Sequence, residues 1–353
     1  MTMRTLTDCD AERLAGARVV VRAALNVPIG DGDARQTFRI AALKETVDTL
    51  IAQGANVALL GHMGRPRGQA SEDLSLAQLS DDIARILGRD VVFADAYRGE
   101  HVATVCAGTR QDALVLLENV RFDARETSAE VTERQALAAE IAENFDIFVN
   151  DAFSVCHRTH ASVVELAACL PSFAGMQLVR EVETLSRVRT HPSHPAVAVI
   201  GGAKIATKLP LIRALEERYD TILVGGKVAN EALDEGIAFA PSVILPQDFV
   251  GDRYDIGPKT VERFTAAIRE AQTVVWNGPM GWYEQDAYAH GTRAVVEALA
   301  QTRAFTVVGG GESLEALEHA NAREAIDFVS TGGGAMLAYM SGDTLPGIRA
   351  LQV

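Results

Sequence analysis

The sequence predicts an α/β protein of two similar-sized, doubly wound parallel-sheet (Rossmann-like) domains joined by a long helix and a hinge. Three observations carry that expectation. Short apolar, β-branched runs alternate with longer amphipathic stretches, the rhythm of βαβ units. The rhythm runs through the chain twice. A length of 353 residues, 48% hydrophobic and 23% charged, suits two globular domains with full cores.

In the first half the strand-like runs lie at 19–25, 56–60, 91–94, 113–117 and 147–149, with helical patterns at 40–53, 76–87 and 130–144. In the second half, runs at 196–200, 221–224, 273–276, 304–308 and 327–329 alternate with helical stretches at 204–217, 260–271, 292–301 and 314–320. Residues 175–189 have helical character, and His191-Pro192-Ser193-His194-Pro195 ends it, because proline cannot continue a helix. The expected organisation is a first domain over 1–173, a joining helix over 174–190, a second domain over 191–340 and a tail over 341–353.

The formal charge is −14 and the isoelectric point about 5.1, the wrong sign for a general nucleic-acid or anionic-membrane binder. Cys9, Cys106, Cys156 and Cys169 show no C-x-x-C spacing and read as reduced, mostly buried residues. Residues 1–6 are too short and polar for a signal peptide, and no apolar run approaches the ~20 residues of a membrane span. A soluble, cytoplasmic protein is expected.

Ligands of open parallel sheets bind at the carboxyl ends of the strands. In the first half those ends carry basic side chains. Strand one holds Arg22 and runs into Asn26-Val27-Pro28, and Arg39 is expected to begin the next helix. Strand two is followed by His62, Gly64 and Arg65, strand four by Arg121, and strand five by Asn150 and Asp151, then His157, Arg158 and His160. A single arginine is usually a surface ion-pair partner. Five arginines and three histidines recurring at successive strand ends suit a small, multiply charged anion, because guanidinium binds phosphate and carboxylate bidentately. No cysteine or carboxylate stands at zinc-ligand spacing.

In the second half the strand ends carry glycines: Gly201-Gly202-Ala203-Lys204, Gly225-Gly226-Lys227, Gly309-Gly310-Gly311-Glu312-Ser313 and Thr331-Gly332-Gly333-Gly334. A fifth end reads Trp276-Asn277-Gly278-Pro279. One glycine turn serves geometry alone in many folds. Four that open helices point to a nucleotide-binding face, where free N–H groups and a dipole meet phosphate. None matches the P-loop or the G-x-G-x-x-G fingerprint, which disfavours ordinary P-loop enzymes and nicotinamide dehydrogenases. A small-anion domain beside a nucleotide domain suggests phosphoryl transfer in a cleft between them, with hinge closure.

These motifs, in this order, resemble the phosphoglycerate kinase family over nearly the whole chain. The resemblance implies reversible phosphoryl transfer between ATP and the carboxylate of 3-phosphoglycerate, giving ADP and 1,3-bisphosphoglycerate. It implies an acid-binding first domain, a nucleotide-binding second domain and a tail that returns to the first. It places the acid at Asn26, His62, Arg65, Arg121 and Arg158, and makes Arg39 and Lys204 catalytic. It places the nucleotide at Gly202, Lys208, Gly225, Gly226, Asn277, Pro279, Glu284, Gly309, Gly310, Gly311, Glu312, Ser313, Gly332, Gly333 and Gly334, with Glu284 on the ribose and Glu312 with Mg²⁺. A monomer is implied, with 3-phosphoglycerate and ATP or ADP as its partners.

Several positions depart from the family pattern. Ala24 and Leu25 stand where the family has aspartate and phenylalanine, and that aspartate would hold the substrate hydroxyl. Thr207 replaces the aspartate between the two lysines, and Lys227 replaces a third glycine beside the adenine. Glu312 replaces the magnesium-associated aspartate. The segment 233–255 is short where the family usually has a further helix and strand. An active kinase is the first reading. A diverged member that binds metabolites with little kinase activity is the second.

Overall fold

Two six-stranded parallel sheets organise the chain. The structure, a computed structural model, describes residues 3–28 and 34–352. Met1, Thr2 and Val353, which belong to the expected first domain and tail, lie outside the described residues.

The first sheet contains β1 (Arg18–Arg22), β2 (Asn56–Leu60), β3 (Val91–Ala94), β4 (Leu114–Leu117), β5 (Ile147–Asn150) and β6 (Ser172–Ala174), in the order β3-β4-β2-β1-β5-β6. Its central strands are buried on both faces, so Val19, Val21, Leu59, Leu116 and Val149 enter one core with Leu50 and Ile83 from the covering helices. The strand β6 escapes sequence reading because Phe173 is the only large apolar residue among its three, which leaves no apolar run.

The second sheet contains β7 (Ala196–Ile200), β8 (Thr221–Val224), β9 (Val243–Ile244), β12 (Thr273–Asn277), β13 (Phe305–Gly309) and β14 (Phe328–Ser330), in the order β14-β13-β12-β7-β8-β9. The intervening β10 (Phe249–Val250) and β11 (Asp255–Ile256) form a separate antiparallel pair. The shortened segment 233–255 therefore holds β9 and the hairpin that β10 begins.

In each sheet the strand order reverses at one place, and a crevice opens there. In the first sheet it lies between β1 and β5, in the second between β7 and β12.

The chain divides into two compact units, Met1–Glu181 with Thr344–Val353, and Val182–Asp343. The helix Met176–Thr190 begins in the first unit and ends in the second. Within the first unit, Gly347 N–H donates to the Cys156 carbonyl (2.9 Å) and Arg4 N–H to the Leu351 carbonyl (3.0 Å). Among the described residues all four cysteines are free, and two, Cys9 and Cys156, are buried.

One expected element is corrected. Residues 40–53 read as a single helix that Arg39 introduces. The structure has a helix Ala34–Ala41, with Arg39 in its last turn, and a second helix Lys44–Ala52. A tight turn joins them, with Leu43 N–H on the Ile40 carbonyl (3.0 Å). Ile40, Leu43, Val47 and Leu50 are all buried. The apolar stripe runs straight through the break, so hydrophobic period does not reveal it.

Candidate functional site

In the first unit the basic residues gather at the carboxyl ends of β1, β2, β4 and beyond β5. Arg22 ends β1 and is fully buried. Its guanidinium donates to the Ala23 carbonyl (2.7 Å), Ser162 Oγ (2.9 Å) and His62 Nδ1 (2.9 Å). Asn26 Oδ1 accepts from Gly64 N–H (2.8 Å), which ties the loop after β1 to the loop after β2. Arg39 donates to the Asn26 carbonyl (2.5 Å), and Arg121 to the Gly64 carbonyl (2.8 Å). The side chains of Arg65 and Arg158 stand exposed.

Electrostatics mark these residues as one group. Burial, then Arg22, then Arg158 and Arg65 bring Arg121 down to about 10, against Glu126. Burial and the charges of Arg22, Arg121 and Arg39, with His160, hold His62 well below the usual histidine range. Burial, then Arg121, Arg22 and Arg158, with His157, lower His160 to about 3, while burial and Arg158 lower His157 to about 4. The positive charges around Arg121 and His62 repel one another, which an anionic ligand would relieve.

The sequence pointed to Arg22 but not to the carboxylate behind it. Glu126 is fully buried and accepts from Ser162 N–H (2.9 Å) and Ser162 Oγ (2.6 Å). Asn150 and Asp151 do not extend the basic group. Asn150 Oδ1 accepts from Ala152 N–H (3.1 Å), and Asp151 Oδ1 from Leu178 N–H (2.9 Å) at the start of the helix Met176–Thr190. Ala24 packs with Ala152, Val155 and Val163 in a small apolar cluster. The missing carboxylate is thus replaced by hydrocarbon packing.

In the second unit the loops after β7 and β12 interlock at the strand-order reversal. Gly202 N–H donates to the Pro279 carbonyl (2.7 Å), and Gly226 N–H, beyond β8, to the Met280 carbonyl (2.8 Å). Gly278 has φ +93°, and a Cβ there would lie 2.3 Å from the Gly201 carbonyl oxygen. Gly226 has φ +61° and would strike the Pro279 carbonyl at 2.7 Å. These two positions require glycine for backbone approach between loops.

All four expected glycine turns open helices: Ile205–Leu215, Gly226–Asp234, Gly311–His319 and Gly333–Met340. Lys204 caps the first with φ +67°, a conformation that costs a non-glycine residue roughly 1–3 kcal/mol and recurs at functional sites. Its carbonyl accepts from Thr207 Oγ1 (2.8 Å).

Lys208 is buried and donates to Asn277 Oδ1, while Asn277 Nδ2 donates to the Gly309 carbonyl (2.7 Å). Burial lowers the Lys208 ammonium to about 8, against the Glu312 carboxylate. Ser313 Oγ accepts from Gly278 N–H (2.7 Å). Burial and then Glu284 raise Glu312, with Lys208 opposing.

A pocket of about 380 Å³ brings together Gly202, Lys227, Pro279, Glu284 and Glu312. It is also lined by Tyr254 and Trp282, which sequence reasoning missed. Their rings lie 5.9 Å apart, and Trp282 is 48% exposed. Its signal was legible in principle, as a large aromatic directly after Pro279-Met280-Gly281. Gly309 lies at the end of β13, and Gly310, Gly311, Gly332, Gly333 and Gly334 lie at the helix starts beyond β13 and β14.

Among the described residues no group of three or more His, Cys, Asp or Glu side chains could hold a metal ion. No helix is long and apolar enough to cross a membrane.

Comparison with known proteins gives a consistent result. The family model described as phosphoglycerate kinase matches residues 7–244 and 245–343, its two segments meeting inside the shortened stretch. The phosphoglycerate kinase of Salinispora tropica is 40% identical over 400 residues, with all of both chains covered. That of Moorella thermoacetica is 36% identical over 395 residues, covering 99% of each. Among solved structures, phosphoglycerate kinase from Pyrococcus horikoshii OT3 superposes with a TM-score of 0.87 at 29% identity, covering 99% of this chain and 98% of that one. The enzyme from Coxiella burnetii gives 0.80 at 32% identity, covering 99% of each chain.

Proposed function

The chain belongs to the phosphoglycerate kinase family, and from that premise we propose that it transfers a phosphoryl group reversibly between ATP and the carboxylate of 3-phosphoglycerate. The observation that carries this reading is the pairing of two ligand chemistries in one chain. A group of guanidinium side chains lies in one unit; in the other lie a pocket lined by Gly202 and Gly281 and, bonded to Asn277, the buried Lys208.

The acid substrate has a phosphate at one end and a carboxylate at the other. Asn26, His62, Arg65, Arg121 and Arg158 supply donors for it, and its charge offsets the repulsion among them. Lys208 would hold nucleotide phosphate, Gly202, Asn277 and Pro279 would stand along the nucleotide wall, and Glu284 would take the ribose hydroxyls. Gly225 and Gly226 would line the base side, and Trp282 would offer the base an aromatic face. The glycines from 309 to 311 and 332 to 334, with Ser313, would present helix N-termini to anions.

The attacking carboxylate is already ionised at neutral pH, so no general base is required. The protein's task is to align two anions and offset charge on the transferring group. Arg39 and Lys204 are the residues assigned that role. Mg²⁺ would neutralise phosphate charge. It commonly binds one or two carboxylates together with substrate phosphates. Glu312, disfavoured as an anion by burial and then by Glu284, fits a nucleotide-borne ion and not a cage of protein ligands.

Release of ADP from ATP, measured with and without 3-phosphoglycerate and Mg²⁺, tests the proposal. ADP release that requires both supports it. Folded protein that binds both ligands without turnover favours the diverged, metabolite-binding reading.

A further inference from the structure

We propose that Arg22 is a positioning residue that fixes His62 as a neutral imidazole with its proton on Nε2, so that the basic group of the first unit contains one uncharged donor. The argument starts from donor inventory. A guanidinium has five N–H donors and no acceptor. Arg22 Nη2 lies 2.9 Å from His62 Nδ1, so Nδ1 must be the acceptor. A neutral ring that accepts at Nδ1 carries its proton at Nε2. The two nitrogens diverge across the ring, so the Nε2–H donor is turned away from Arg22.

A second chain of bonds holds the guanidinium in place. Arg22 Nε donates to Ser162 Oγ (2.9 Å), and Ser162 Oγ donates in turn to Glu126 Oε1 (2.6 Å). The Ser162 backbone N–H binds the other Glu126 oxygen (2.9 Å), and Arg22 Nη1 binds the Ala23 carbonyl (2.7 Å). Each of the three guanidinium nitrogens therefore makes a hydrogen bond. Arg22, Ser162 and Glu126 are completely buried, and His62 is 3% exposed, so the bonds do not exchange with water.

Charge gives the arrangement a purpose. The groups facing His62 are Arg22, Arg121, Arg39 and His160, and they disfavour an imidazolium together with burial. Glu126 is the buried anion behind them, its carboxyl raised by burial and lowered by Arg22. A neutral Nε2–H can donate to an anionic ligand without adding to the repulsion among the cations. The functional half of the inference rests on the reading of this group as the 3-phosphoglycerate site. The tautomer does not.

The test is a proton–nitrogen correlation spectrum of the imidazoles in the full-length, ligand-free protein, with His62→Gln used to assign the His62 signals. The expected result is an Nε2-protonated, neutral ring at pH 7 that stays neutral on titration to pH 5. An Nδ1-protonated ring or an imidazolium at pH 7 overturns the proposal. Arg22→Met and Arg22→Lys supply the second arm. The methionine variant is expected to release a mixture of tautomers and raise the KM for 3-phosphoglycerate about tenfold or more, the value of a hydrogen bond to a charged ligand. The lysine variant, which can still donate to Nδ1, is expected to keep the tautomer. A folded Arg22→Met protein with the wild-type tautomer contradicts the proposal, and if neither variant folds the wild-type spectrum still decides. A wild-type protein with the expected tautomer but no response to 3-phosphoglycerate would sink the substrate reading and leave the Arg22 assignment standing.

Discussion

Lys204 combines a strained backbone with an exposed ammonium at the start of a helix. Arg39 is held to the Asn26 carbonyl in the last turn of another. If both act on the transferring phosphoryl group, Lys204→Ala and Arg39→Ala should each lower kcat by about 100-fold or more, with far smaller changes in melting temperature. Steady-state rates beside thermal melts check this, and unchanged kcat in either variant removes that residue from the catalytic set.

The nucleotide pocket has its own reporter. The chain has two tryptophans. Trp276 is fully buried, whereas Trp282 lines the pocket and is 48% exposed. ATP should therefore alter fluorescence through Trp282, and Trp282→Phe should abolish the change. A response that survives the substitution would place the base elsewhere. At the same rim, Lys227→Gly should alter ATP affinity and leave 3-phosphoglycerate affinity unchanged, as calorimetry can read.

Residues on motif order were legible: His62, Arg121 and Asn277 sit at or just beyond strand ends, and Lys208 lies in the helix after β7. Glu126 was not, because its partners Ser162 and Arg22 are separated from it by 36 and 104 positions in the chain, and only the fold joins them. The effect of Ala24 was also hidden. Its apolar neighbours come from residues 152–163 and belong to a different loop. An aspartate at that position is now expected to destabilise the ligand-free protein by roughly 1–3 kcal/mol, the cost of burying an unpaired polar group.

At the scale of elements, the helix Met176–Thr190 depends on a buried carboxylate. Asp151 Oδ1 receives Leu178 N–H near the start of this helix (2.9 Å). Burial raises the Asp151 carboxyl to about 6 from the ordinary value of 3.8. Between those values the folded protein keeps a proton that the unfolded chain releases, so stability from this group falls as pH rises through that window. Asp151→Asn removes the titration. Its urea stability should vary less than wild type between pH 4 and pH 6.5, and should exceed wild type at the upper end by about 1–3 kcal/mol. Parallel profiles would show that Asp151 is charged in the folded protein.

Strands were read more accurately than helices because their apolar runs are continuous and buried on both faces. The break at residues 42–43 stayed hidden because its buried stripe is unbroken. The helix Glu100–Gly108 went unread because Val102 is its only buried side chain, which leaves no stripe to find.

For the whole molecule, the rhythm of the sequence was enough to specify two parallel sheets, since each alternation supplies a strand and its covering helix. The order reversals between β1 and β5 and between β7 and β12 then select which strand ends gather ligand-binding residues. The charge of −14 excludes a general polyanion binder, yet it conceals a group of arginines in which burial, then Arg22, Arg158 and Arg65 disfavour the charge of Arg121. The shortened stretch 233–255 was visible as missing length, but the hairpin strands within it and the Tyr254–Trp282 pair beside the pocket required coordinates.

The central claim is that the acceptor is a carboxylate. Its product is then an acyl phosphate, which hydroxylamine converts to a stable hydroxamate. Incubation with ATP, Mg²⁺, 3-phosphoglycerate and hydroxylamine should yield hydroxamate in step with ADP. ADP formed without hydroxamate, or at the same rate when 3-phosphoglycerate is omitted, would contradict the account.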